Sequence, residues 1–183
     1  MGQYYKPCAL SEDKKQVVGW MYTHDYGNGL KLMEHSYLEN NFVRTVEKLI
    51  SPDGEWYGKP LVWVGDYSDD YEGNLYAQCS HDTNKIVPEE VSDDFKLGNY
   101  LVNHTKKQYV DKTKIPNEDG WAIHPLPLLT CEGNGQGGGD FFGEDPNNLI
   151  GSWARDIITV ESVEPLFDYT EIVFDLKENR YYY

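Results

Sequence analysis

Five of the seven residues in Gly133-Asn-Gly-Gln-Gly-Gly-Gly139 are glycine, and Asp140 follows at once. Backbone this free can turn several N–H groups toward an anion, or lie flat against a surface. The stretch fits neither phosphate-cradling pattern. No Gly-Lys-Ser/Thr ends it, as a P-loop needs, and no helix signal follows, as a dinucleotide fingerprint needs. Glu132, Asp140, Glu144 and Asp145 surround it with negative charge, so the expectation is a mobile surface loop rather than a phosphate site.

Histidines beside acids suggest metal or hydrolytic chemistry. His24-Asp25, Glu34-His35 and His81-Asp82 are adjacent pairs. Neighbouring side chains point apart on a strand and do not face each other on a helix, so no pair forms a site by itself. His-Glu-x-x-His spacing is absent, and a site would need distant pieces such as His24, His35 and Asp66. Asp66, Asp69 and Asp70 leave the apolar run Leu61–Val64 and have the spacing of a hard-cation cluster, though not the alternate ligands and terminal Glu of a calcium loop. Gly-x-Ser-x-Gly is missing. Cys8, Cys79 and Cys131 show no C-x-x-C and read as small buried thiols, kept reduced. Nothing here calls for a cofactor.

Carboxylates are the commonest reactive group. The 183-residue chain holds 31 acids against 16 bases, a net charge of −15, with a pI near 4.6. From Glu132 to Glu178 there are eleven acids, with only Arg155 and Lys177 opposing them. Two dense clusters contain no Lys or Arg: Asp66, Asp69, Asp70 and Glu72, then Glu89, Glu90, Asp93 and Asp94. Crowded like charge destabilises a fold unless it serves solubility or a basic partner. Tyr67, Tyr71 and Tyr76 beside the first cluster favour a contact surface. So negative a chain is not expected to bind bare nucleic acid or an anionic membrane.

The elements that must position these groups read mostly as strands. Tyr4–Leu10 and Gln16–Tyr22 form a hairpin around Ser11–Lys14, and Asn99–Asn103 with Gln108–Asp111 form another around His104–Lys107. Leu61–Val64 is a buried strand. Asn40 or Asn41 caps a helix whose Phe42, Val43, Val46, Leu49 and Ile50 share one face, and Ser51-Pro52-Asp53-Gly54 stops it. A short helix over Leu30–Ser36 is a further candidate. Pro125 and Pro127 mark Trp121–Leu129 as an extended edge or loop. Trp153–Val160 and Tyr169–Leu176 complete the strands. The expected fold is a single α+β domain over residues 1–183, mostly antiparallel sheet with one or two helices. Aromatic residues at 14% argue against disorder, and no apolar run approaches a membrane span. With no apolar signal core in Met1–Lys6, a cytoplasmic chain is expected.

Met1-Gly-Gln-Tyr-Tyr-Lys6, Gly29-Leu-Lys-Leu-Met-Glu-His-Ser36, Trp63-Val-Gly-Asp-Tyr67 and Trp153-Ala-Arg-Asp156 after the glycine stretch resemble a family of uncharacterised proteins from bacteria, phages and mobile elements. In size, acidity and that setting the chain is also similar to anti-CRISPR inhibitors, which occupy basic grooves of RNA-guided nucleases. The resemblance implies a basic protein partner. It transfers no residue by position. From charge alone, the partner-binding candidates are Asp66, Asp69, Asp70, Glu72, Glu89, Glu90, Asp93, Asp94, Glu144 and Asp145. The alternatives are a small metal-dependent hydrolase using Asp66, Asp69 and Asp70 with His24, His35 or His81, and an immunity protein for one specific partner.

Overall fold

The structure is a computed structural model and describes residues 1–68, 74–80 and 82–178. The first two apolar runs pair antiparallel as β1 (Tyr5–Leu10) and β2 (Val17–Trp20), with Cys8 opposite Trp20. A 3-10 turn (Thr23–Tyr26) and a four-residue helix α1 (Leu32–His35) follow. Helix α2 (Asn41–Leu49) starts at its expected cap, where the Asn40 side-chain oxygen accepts from the Val43 N–H at 3.1 Å. Phe42, Val43, Val46 and Ile50 are fully buried, as their spacing on one face requires.

β3 (Pro60–Gly65), buried along its whole length, lies antiparallel to β1. Then come α3 (Leu75–Gln78), the hairpin β4 (Tyr100–Asn103) and β5 (Gln108–Asp111), α4 (Pro125–Thr130) and β6 (Cys131–Glu132). β7 (Gly143–Glu144), β8 (Asp156–Glu161), β9 (Thr170–Glu171) and β10 (Lys177–Glu178) close the described chain. The main sheet runs β2-β1-β3-β8-β4-β5-β9, and β6 joins the second half of β3. Among the described residues, the β3–β6 and β5–β9 pairs are parallel and the other strand pairs antiparallel. The fold is therefore α+β and mostly antiparallel. No helix among the described residues is long and apolar enough to cross a membrane.

Side-chain alternation splits the sheet into two faces. Tyr5, Ala9, Leu61 and Trp63 enter the larger core with α2 and with Leu126, Leu128 and Leu129 of α4. Cys8, Leu10, Val62 and Val64 face the other way, onto Trp20 and the α3 residues around Leu75 and Cys79. In the larger core the Trp63 indole N–H donates to His35 Nε2 at 2.9 Å, while His35 Nδ1 sits 3.1 Å from Gly29 O. With Nε2 accepting, Nδ1 carries the proton, and His35 is neutral. Burial holds its pKa down at about 4.

Two sequence readings change. Residues 125–129 are neither an extended edge nor a loop, because Pro125–Thr130 is helical, while 121–124 are non-helical with bridges at Trp121 and Ile123. Both prolines fall in the first turn, where backbone N–H groups lack intrahelical partners anyway. His124 caps that turn, its Nδ1 accepting from the Leu126 N–H at 3.1 Å. The last two strands are also shorter than expected. Arg155 at φ +67 ends a turn just before β8, and β9 pairs with only Gln108 and Tyr109.

Candidate functional site

The second acidic cluster lies on a segment with no regular secondary structure, yet the core fixes its path. Val91 is buried, at 3% exposure, and its N–H donates to Thr45 Oγ1 of α2 at 3.3 Å. The Tyr26 hydroxyl donates to Pro88 O at 2.6 Å. Arg44, itself buried on α2, donates to Ser92 O at 3.0 Å and to Phe95 O at 2.6 Å. Between these pins Glu89, Glu90, Asp93 and Asp94 are exposed. Asp93 is 3.9 Å from Arg44 with a fully exposed side chain, a contact that water screens heavily. Val87 and Phe95 flank the carboxylates as exposed apolar residues. The result is an acidic strap whose backbone is held while its carboxylates face solvent.

Beneath the strap lies a cleft of about 560 Å³ lined in part by Arg44, Glu47, Asp93, Lys96, Lys112 and His124. Glu47 is buried on α2 and bonds to the Lys112 ammonium just past β5. His124 Nε2 lies 3.2 Å from Glu47 Oε2. Burial alone would push the Glu47 carboxyl up. The adjacent His124 and Lys112 outweigh that and hold it at about 2. This network joins α2 to the chain after β5 and to the start of α4, and so positions the platform under the strap.

The other nominated carboxylates fall in different settings. Asp66 is half-buried and its Oδ1 accepts from the Tyr4 N–H at 2.9 Å. Asp69, Asp70 and Glu72 lie outside the described residues, as does His81. Glu144 is exposed on β7. Asp145 accepts from the Leu149 and Ile150 N–H groups at 2.8 and 3.0 Å, closing a turn. Part of the acidic charge after Glu132 is paired in space. Arg155 grips both Glu132 oxygens, at 2.6 and 3.1 Å. Lys106 pairs with Asp156, Lys107 with Asp168 at 3.4 Å, and Lys114 with Glu171 at 2.6 Å. The acidic charge expected over 132–178 is thus partly offset, whereas the strap keeps four exposed carboxylates within six residues.

The glycine stretch does cradle an anion, and that anion is its own aspartate. The N–H groups of Gly135, Gln136 and Gly137 donate to Asp140 Oδ2 at 2.8, 3.0 and 3.0 Å, and the Tyr5 hydroxyl donates to Oδ1 at 2.8 Å. Gln3, with its amide nitrogen toward the loop, donates to Asp140 Oδ2 at 2.9 Å and to Gly133 O at 2.7 Å. The expected mobile loop is therefore stitched to β1 and to the chain's first residues. A Cβ at position 137 would come within 2.6 Å of the Gln3 backbone nitrogen. Gly137→Ala is expected to cost roughly 1–3 kcal/mol through that overlap, read as a lower melting temperature in thermal unfolding.

Of the metal-site pieces, Asp69, Asp70 and His81 lie outside the described residues, and His24, His35 and Asp66 are not brought together. Among the described residues no group of three or more His, Cys, Asp or Glu is placed to hold a metal ion. His35 commits both ring nitrogens to the core and Asp66 serves Tyr4, whereas His24 is exposed. No family model, curated protein or solved structure matches this chain.

Proposed function

We propose that this protein is an acidic binding module that docks its strap, Glu89, Glu90, Asp93 and Asp94, into a Lys/Arg-lined groove of a nucleic-acid-handling protein. An RNA-guided nuclease in the same cytoplasm is the fitting partner class, and blocking its groove would make the chain an inhibitor of the kind mobile elements carry. The observation that supports this is the pinned backbone under four exposed carboxylates. Carboxylates can replace phosphates opposite Arg forks. A strap already ordered spares much of the entropy that a floppy acidic tail loses on binding. The net charge of −15 adds long-range attraction that speeds encounter with a basic surface.

The test is the variant Glu89→Gln, Glu90→Gln, Asp93→Asn, Asp94→Asn. These side chains are exposed, so the melting temperature should move by only a few degrees. Affinity for a nuclease with an open guide-RNA groove should fall by about tenfold or more, roughly 1.4 kcal/mol. Glu12→Gln, on the β1–β2 turn, should leave it unchanged. A neutralised strap that binds like wild type removes the proposal.

A further inference from the structure

Alternation along β1 directs Cys8 away from the larger core, and Cys79 follows the last turn of α3 on the same side of the sheet. Their sulfurs are 3.1 Å apart, and both residues are fully buried among Leu10, Val62, Val64 and Leu75. Each thiol also reaches a carbonyl at 3.4 Å, Cys8 that of Lys6 and Cys79 that of Leu75. Lys6 stands beside the pair, its ammonium donating to Cys79 O at 2.7 Å and lying over the Tyr76 and Trp20 rings. Cys131 is separate. It packs in the larger core, with its sulfur on Leu128 O.

We propose that Cys8 and Cys79 form an oxidisable dithiol that a peroxide converts to a disulfide, stapling β1 to the end of α3. One sulfur attacks a peroxide oxygen, breaking the O–O bond and giving a sulfenic acid and water. The second thiol then displaces the sulfenic oxygen as another water, and the S–S bond forms. Two electrons pass from the sulfurs to the peroxide, and both thiol protons end in water.

Burial sets the rate. Neither sulfur is open to solvent, and burial pushes the Cys8 thiol well up, so thiolate is scarce in the closed form. Attack therefore requires α3, only four residues long, to lift from the sheet. The bond would join residues 71 positions apart, restricting the unfolded chain over a long loop. This holds whether or not the strap binds a partner.

The experiment treats the full chain with hydrogen peroxide, with and without urea below the unfolding transition, and follows intact mass and a non-reducing peptide map. The expected product has lost two hydrogens, maps to Cys8–Cys79, forms faster in urea, and melts roughly 10 °C higher. Cys131→Ala should still lose two hydrogens, whereas Cys8→Ala and Cys79→Ala should not. If those last two fail to fold, the wild-type map alone decides. Oxygen addition without cross-linking, or a bond through Cys131, would overturn the proposal.

Discussion

Glu47→Ala should be the most damaging single change outside the apolar core, costing roughly 3–5 kcal/mol and lowering the melting temperature by roughly 10 °C or more. The cost arises from what is left behind. Lys112 and His124 are mostly or fully buried around that carboxylate, and removing it strands a buried cation. Glu47→Gln keeps the shape and should fall between the two, and Lys112→Met in the Glu47→Gln background should recover part of the loss. The same carboxyl predicts a pH response. Its folded pKa of about 2 lies below its ordinary value of 4.5, so the unfolded chain binds the proton first on acidification. The stabilisation is complete above about pH 4.5 and is lost as pH falls toward 2. Its full size is about 3 kcal/mol. Urea midpoints between pH 5 and 2.5 check this, and Glu47→Gln should flatten the curve there.

A second acid response should begin earlier. His35 accepts the Trp63 indole N–H and is buried and neutral, with a folded pKa of about 4 against an ordinary 6.5. Between those values the unfolded chain takes up a proton that the folded chain refuses. Stability therefore declines as pH drops from 6.5 to 4, by about 3 kcal/mol in all, and this contribution then levels off. His104 is also shifted down by burial and adds to the same slope. His35→Gln can still accept from Trp63, so it should remove most of the slope at some cost in stability at pH 7. An unchanged slope in that variant would show that His35 is not the buried neutral base described above.

These two groups also mark how far the sequence could be read. Both hairpins, the Asn40 cap and the buried Leu61–Val64 strand were legible, because each depends on residues within about ten positions. The charge pattern was misleading for the opposite reason. Asp156, Asp168 and Glu171 meet Lys106, Lys107 and Lys114 across 50, 61 and 57 residues, which counting along the chain cannot detect. Glu47, the best-buried acid of the platform, carries no local signal that separates it from the other polar positions of its helix. Asp140 was counted as repelling an anion from the glycine stretch, when it is the anion. Pro125 and Pro127 were read as marks of an extended edge or loop, although proline at the first helical position was the available helix signal. The strap was legible as a charge cluster. Its rigidity was not, since Tyr26, Arg44 and Thr45 are 62, 48 and 46 residues from the groups they hold.

Electrostatic docking leaves a signature that shape or apolar contact does not. Association rate and affinity for a nuclease with an empty guide-RNA groove, measured from about 50 to 500 mM salt, should fall steeply for the wild type and clearly less steeply for the variant neutralised at residues 89, 90, 93 and 94, whose remaining acids keep only the long-range part of the attraction. Two parallel salt curves would contradict the strap as the docking element, and a wild-type affinity indifferent to salt would contradict charge as the means.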